Sequence, residues 1–524
     1  MNATVIRNAI VAIVLALLCI LVGSYAAEDK DIPIFMLAGI LGLIFMIVMG
    51  RKSWMLLYFL PPLFTFLPLG IFQRLPAAFL VAGFVLAYWA VMWIMGYVRF
   101  KWRWLPAMDV LALIVFVYYL LTFYWHPVSI NSLGIDAEYV GGKEYIWFLL
   151  AYVYYVTISC IPCTYDDLYG VLRKTLYVMV GVSIFSSLLS VFGIMSAGGL
   201  QGVGEQMGNT RFAMFSALGV LLFLIVFSKK TFHEVLISPK TLLAVMFCCA
   251  AVVISGWREK LVSFGAVVMA LCYIKREMAY LIFLVAMAYG SLLYLSEEKV
   301  VKDYFPYGMQ RTLSIFPGVE IKEEVRSETE HSSEWRKEMW RWALDPRTGY
   351  IKDYIWGDGF GQAVSDLNRY NVSLMRGTTR VGNQEDFAQA GVWHNGAIVA
   401  LHRTGIVGLA LIVIMDLYVM FMIVRVCRAY RGTPMFLLSV VFLCSFFGDV
   451  ALCFISAGGI THFFTGFVCF GLTKVLYCAG REEGIIVPVF SQGRYKPMLI
   501  AEARRNELIR HAQQDNIALR HRRG

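Results

Sequence analysis

Apolar residues run in long unbroken blocks along this chain, separated by short polar turns that often hold a basic pair. Ile10 to Ala26 and Thr241 to Gly256 are two such blocks, and neither shows the period-two alternation of a half-buried strand. A helix of about 20 apolar residues crosses about 30 Å of hydrocarbon, and in lipid only helices or closed barrels satisfy their own backbone. Unbroken blocks point to helices. They predict about fourteen spans, near 8–26, 32–49, 54–72, 77–97, 106–125, 145–162, 175–195, 212–228, 241–256, 261–274, 279–295, 405–425, 433–455 and 460–479.

Composition agrees. The 524 residues are 59% hydrophobic and 16% charged, against about 45–50% and about 25% in soluble proteins. A soluble globular enzyme, a disordered chain and a disulfide scaffold are excluded. The expected fold class is an all-α integral membrane protein, a bundle of about 12–14 transmembrane helices with a partly helical external loop of about 100 residues.

Charge sets the orientation. Arg51-Lys52, Arg99 to Arg103, Arg173-Lys174, Lys229-Lys230, Lys275-Arg276 and Arg425 to Arg431 each follow an even-numbered span. Alternation puts them on one side, and the positive-inside rule makes that side cytoplasmic, with both termini. The first block could be read as a cleaved signal peptide, but with so many spans following it a retained helix is expected. The organisation predicted is an N-terminal bundle over 1–295, a large loop over 296–404, three helices over 405–480 and a basic tail over 481–524. Residues 296–394 hold 13 Lys+Arg and 16 Asp+Glu, so the net charge of +10 lies in the cytoplasmic loops and the tail. That distribution is an orientation signal rather than a nucleic-acid site. The tail alternates arginines with Ile500, Ala503, Leu508 and Ile509, which suits anionic headgroups.

Polar residues near the external face carry the candidate chemistry. Arg258, in Ser255-Gly256-Trp257-Arg258-Glu259, lies between two apolar blocks on that side. Ser332 to Leu344 places Trp335, Met339 and Trp342 on one helical stripe, with Lys337, Glu338 and Arg341 opposite and Arg336 on the flank. Such a helix either lies on the membrane surface with its tryptophans at headgroup depth or packs the loop onto the bundle. His394 sits where the loop re-enters the membrane, and imidazole is the side chain suited to proton exchange near neutral pH. His126, His331, His402 and His462 also fall on or near the external side.

Three segments together resemble the bacterial O-antigen ligase and O-antigen polymerase superfamily. His394-Asn395-x-x-Ile398-x-x-Leu401-x-x-x-Gly405-x-x-Gly408-Leu409 is similar to its His-Asn signature. Trp335-Arg336 to Trp340, followed by Trp356-Gly357-Asp358-Gly359-Phe360-Gly361, is similar to its Arg…Trp…Gly-x-Gly pattern. Ser255 to Arg258 stands where members carry a Ser-Arg pair opening a span. Order and spacing agree over roughly 200–425, as does the late external loop. The departures are the insertion between Ser255 and Arg258, alanine at Ala397 where an aromatic is usual, and about two extra spans.

The resemblance implies glycosyl transfer on the periplasmic face of the bacterial inner membrane. The donor would be a glycan on undecaprenyl diphosphate, and the acceptor a sugar hydroxyl on a second lipid-linked glycan, on lipid A core or on protein. Arg258 and Arg336 would hold the departing diphosphate without a metal or other cofactor, with Arg211 and Arg341 as further substrate-binding residues. His394 would take the acceptor proton, helping inversion, and Asn395 would orient the loop or the histidine. His394, Arg258 and Arg336 are expected within about 10–12 Å of one another. Partners implied are membrane lipids and other polysaccharide assembly proteins, with no nucleic acid.

Other signals weigh less. Gly357-x-Gly-x-Gly361 lacks a strand-to-helix unit and reads as a tight turn. Asp29-Lys30-Asp31 spells the acidic metal motif of some glycosyltransferases but reads as a solvated loop. Cys160-Ile161-Pro162-Cys163 ends an apolar helix with no redox-fold pattern around it. Asn371-Val372-Ser373 fits a sequon that matters only in a eukaryotic secretory pathway. Asp109, Asp416 and Asp449 lie in or beside spans and sustain a rival reading, a lipid-linked oligosaccharide flippase. A flippase is expected to show two related halves, whereas this chain gathers its motifs around one late loop. A non-catalytic scaffold would need none of them.

Overall fold

A computed structural model describes residues 44–59, 77–128, 139–191, 213–372, 383–457 and 460–486, apart from positions 45, 141, 364, 367 and 371. The first predicted span, most of the next two, Asp29-Lys30-Asp31, Arg211, Asn371 and Ser373 of the sequon, and the tail beyond 486 lie outside these residues.

The apolar blocks are helices. In chain order they are α1 (Ala77–Ile94), α2 (Pro106–Trp125), α3 (Gly142–Cys160), α4 (Tyr165–Val191), α5 (Ala213–Lys229), the short α6 (Phe232–Ile237), α7 (Pro239–Ile254), α8 (Arg258–Lys275) and α9 (Met278–Glu297). The long loop contributes α10 (Val300–Tyr304), α11 (Tyr307–Leu313), α12 (Glu323–Leu344) and α13 (Asn383–Gln389). The chain then forms α14 (Gly396–Ala429), α15 (Met435–Leu443), α16 (Ser445–Leu452), a π-helical turn at Cys453–Ala457 and α17 (Ile460–Glu482). Two residue pairs, Tyr139 with Ala363 and Val140 with Gln362, tie the α2–α3 connection to the long loop.

Among the described residues five helices are long and apolar enough to cross a membrane: Pro106–Trp125, Tyr165–Phe185, Met278–Glu297, Gly396–Ala429 and Met435–Ile455. Four shorter apolar helices accompany them. This is the make-up of a helical membrane protein, and α9 shows why. Its apolar window buries none of its residues inside the protein. In water such a surface costs roughly 25 cal/mol per Å², whereas lipid tails solvate it freely.

Close helix packing uses small residues, as expected where no water drives association. A methyl added at Gly471 on α17 would meet Ile158 on α3 at 2.8 Å, and one at Gly219 on α5 would meet the Cys248 carbonyl of α7 at 2.8 Å. Polar groups inside the bundle find one another. Asp109 accepts from Lys474 and, at 2.7 Å, from the Tyr155 hydroxyl. Asp416 pairs with His462 at 2.9 Å. Cys160 and Cys163 are free thiols, and Arg103 holds the carbonyls of Ile161 and Cys163 beside them.

The amphipathic helix begins earlier than its tryptophan stripe, at Glu323 rather than Ser332, because the first turns carry their apolar contact through Val325 alone. The surface-lying alternative is not what forms. Trp335 and Met339 are buried in a small protein core with Ile351, Phe387, Trp393 and Ile398. The stripe packs the loop against itself and against the start of α14.

The long helix α14 is broken at Gly405 (φ 64°, ψ −175°), a conformation essentially reserved for glycine. A break strands backbone groups on both sides, and the loop segment 354–359 takes them up. Ile406 N–H donates to the Tyr354 carbonyl at 2.8 Å, and Val407 N–H to that of Ile355 at 3.4 Å. In return the His402 and Arg403 carbonyls accept from Asp358 and Gly359 N–H at 2.8 and 3.0 Å. The Thr404 carbonyl accepts from the Tyr118 hydroxyl at 2.5 Å. Contact is so close that a Cβ on Gly357 would lie 2.5 Å from the backbone nitrogens of Thr404 and Gly405. The glycines of the Trp-Gly-Asp-Gly motif and of the His-Asn motif are the two sides of this seam.

Gly405→Ala is therefore expected to destabilise the protein by about 1–3 kcal/mol from backbone strain alone, and by more from contact with the Ile355 carbonyl. Gly290→Ala, in α9 where an added methyl meets nothing, should be neutral or gain up to about 1 kcal/mol. Thermal unfolding followed by tryptophan fluorescence in detergent compares them; equal melting of Gly405→Ala and wild type would show that the seam does not hold the fold.

Candidate functional site

The seam places His394 between two pinned neighbours. Trp393 is fully buried, its carbonyl accepting from the Trp340 indole at 2.7 Å. Its own indole donates to His402 Nδ1 at 3.1 Å. An indole only donates, so Nδ1 accepts and the His402 proton sits on Nε2, which faces Asp358 at 3.4 Å. Burial pushes the Asp358 carboxyl up, but His402 and the N–H groups of Lys352 and Asp353 outweigh it and hold the acid below its usual range. Asn395 caps α14, its side-chain oxygen accepting from Ala397 and Ile398 N–H at 2.9 and 3.2 Å. Its amide donates to the Phe454 carbonyl of the π-helical turn at 3.0 Å. The Asn395 side chain thus positions the loop.

Held this way, His394 adopts a left-handed backbone (φ 50°). That costs a non-glycine residue about 1–3 kcal/mol and persists only where the surroundings impose it. The ring lies between Trp335 and Phe387, each 5.6 Å away centroid to centroid. Its Nε2 is sealed from solvent and has no hydrogen-bond partner among the described residues. Burial, and secondarily the Arg336 charge, lower its pKa to about 4. The imidazole is neutral at physiological pH. In an unfolded chain it would titrate near 6.5, so this group costs stability as pH falls from about 6.5 toward 4.

Beside the histidine is a cluster of guanidinium groups. Arg258 is the first residue of α8 and donates to the Ser333 hydroxyl of α12 at 3.4 Å. Arg336, one residue past Trp335 on α12, meets Glu259 at 3.4 Å. Arg258 feels the charges of Arg311 and Arg336 ahead of those of Glu259 and Glu328. Arg336 is thus near enough to both Arg258 and His394 for each to feel its charge, on α12 between the start of α8 and the entrance to α14. Arg341 is exposed and takes no part in the cluster's ion pairs. Arg211 lies outside the described residues.

Two residues that the sequence did not single out belong here. Arg311, on α11, pairs with Glu328 at 3.5 Å. Burial and then the Arg336 charge lower its pKa, a sign that like charges are crowded. No sequence signal marked it, since a lone arginine in a polar loop has no aromatic or glycine context. Such a cluster can bind a multiply charged anion, with a neutral base at its edge. No group of three or more His, Cys, Asp or Glu side chains among the described residues could hold a metal ion.

No protein-family model matches the chain, and no curated protein matches it in sequence.

Imidazole NMR of the purified protein should place the His394 titration near pH 4. Arg336→Gln removes a like charge and should move the midpoint upward. A wild-type midpoint near 6.5 would mean that the ring is neither buried nor held against the cluster.

Proposed function

We propose that this protein is a membrane glycosyltransferase that moves a glycan from an undecaprenyl-diphosphate carrier to a sugar hydroxyl at the external face of the inner membrane. It would be an O-antigen ligase or a related surface-polysaccharide polymerase, built on about 12–14 spans with both termini cytoplasmic. The observation that carries the reading is the neutral, unpartnered His394 nitrogen beside a cluster of guanidinium groups.

The chemistry follows from those groups. The acceptor oxygen attacks the anomeric carbon while the carbon–oxygen bond to the diphosphate breaks, and the bonding pair leaves with the phosphate. Arg258 and Arg336 stabilise that growing charge through N–H forks matched to phosphate oxygens. His394 receives the acceptor proton as the new bond forms. Attack on the face opposite the leaving group inverts the anomeric centre. A general base of this kind contributes about 10²- to 10⁴-fold.

Donor binding also tunes the base. A bound diphosphate offsets the Arg336 charge that helps depress His394, so its affinity for a proton rises when the leaving group is in place. The acid limb of kcat, which reports the complex, should therefore lie at higher pH than that of kcat/KM, which reports the free enzyme near pH 4. Coincident limbs would dissociate His394 from the donor.

The decisive test is glycan profiling in cells lacking the chain, complemented with wild type or His394→Ala. Single lipid-linked repeats that accumulate without rescue by His394→Ala identify a polymerase. Long lipid-linked polymer that never reaches lipid A identifies a ligase. Full rescue by His394→Ala overturns the catalytic role and advances the flippase reading.

A further inference from the structure

The loop helix α11 is a small construction built around one arginine. Gln310, fully buried beside it, donates to the Lys302 and Phe305 carbonyls at 3.1 and 2.8 Å and accepts from Lys322 N–H at 2.9 Å. Leu313 closes the other side in a core with Val301, Val319, Ile321 and Val325. The helix packs against α7, α8 and α12. Arg311 is thereby fixed in place instead of waving from a loop.

What it is fixed against is unfavourable. Arg311 and Arg336 repel each other, and both repel Arg258. The two carboxylates that relieve this make single, long contacts, Arg311 to Glu328 at 3.5 Å and Arg336 to Glu259 at 3.4 Å. Charge-assisted bonds in good geometry are about 2.7–2.9 Å and often two-pronged. Part-exposed single contacts of this kind contribute little to stability. Burial moreover raises the pKa of Glu328 in spite of Arg258, so its carboxylate is poorly solvated where it stands. Three cations and two loosely held anions are a poor structural arrangement and a good receptor.

We propose that Arg311 is the third guanidinium of a diphosphate site, and that Glu328 and Glu259 are built-in counter-ions which an incoming diphosphate displaces. Two carboxylates keep three crowded arginines in place, and two phosphoryl groups replace them. A monophosphate would replace only one. The arrangement thus selects diphosphate over monophosphate, which separates a loaded or spent diphosphate carrier from the monophosphate form. The inference rests on the diphosphate-donor reading given above but concerns binding alone.

The test uses the full chain in nanodiscs, with inorganic pyrophosphate and inorganic phosphate as soluble probes and farnesyl diphosphate added to the bilayer as a lipid-borne one. Arg311→Gln should weaken pyrophosphate binding about tenfold or more, with Arg311→Lys between it and wild type because charge without the fork is retained. Glu328→Gln should tighten pyrophosphate binding and narrow the preference over phosphate. Unfolding temperature is followed for each, and Arg311→Lys keeps the inference testable if Arg311→Gln does not fold. Unchanged pyrophosphate binding in folded Arg311→Gln or in Arg311→Lys overturns the proposal, as does weaker binding by folded Glu328→Gln. If the lipid-borne probe responds to Arg311 as pyrophosphate does, the headgroup alone is read; if only the lipid-borne probe binds, a soluble anion is not the ligand and the site reads a membrane-anchored diphosphate. Failure of the transferase reading is visible separately. Arg311-dependent pyrophosphate binding in a protein whose His394→Ala form rescues cells would leave the anion site standing without the reaction.

Discussion

The break in α14 governs the rest of the molecule. A helix that stops at Gly405 and restarts leaves carbonyls and N–H groups that cannot remain bare in an apolar setting. Residues 354–359 satisfy both sides, and the glycines that allow the approach have no space for a side chain. Once that segment is seated, Asp358 reaches His402, His402 receives Trp393, and the backbone of His394 is forced into its left-handed turn. The strain at the histidine is sustained by hydrogen bonds formed some residues away.

Electrostatics at the site depends on the same placement. The short piece of α14 before the break carries Ile398 into the small core that also buries Trp335 and Met339. That packing fixes the rotation of α12 and turns Arg336 toward α8. The histidine is kept neutral chiefly by burial and secondarily by that arginine. The settings of His394 and Arg336 are thus consequences of one packing arrangement.

Much of the fold was legible in the sequence. From 77 onward each predicted span falls on helix, because unbroken apolar length is a property of the local chain. Even so, 433–455 is divided into α15, α16 and the π-helical turn, and α8 and α17 are not among the nine apolar helices of the described residues. Of the residues that the motifs singled out, Arg336 stands near both His394 and Arg258. What escaped depends on pairings between distant segments. The tryptophan stripe has the same periodicity whether it meets lipid or protein, and only Phe387 and Trp393 on the far side decide that it meets protein. The glycines of two separate motifs gave no hint that they face each other. Arg311 became visible only when α11 was seen packed beneath α12.

The seam has one more consequence. Its hydrogen bonds cross from the loop into a membrane helix, so the boundary between loop and bundle at residue 405 is a joint and not a hinge. A loop of this kind cannot be exchanged between proteins as a cassette. A graft would have to carry both 354–359 and the broken turn of the helix that receives it. Diversification of such a scaffold is confined to surfaces that leave this joint untouched.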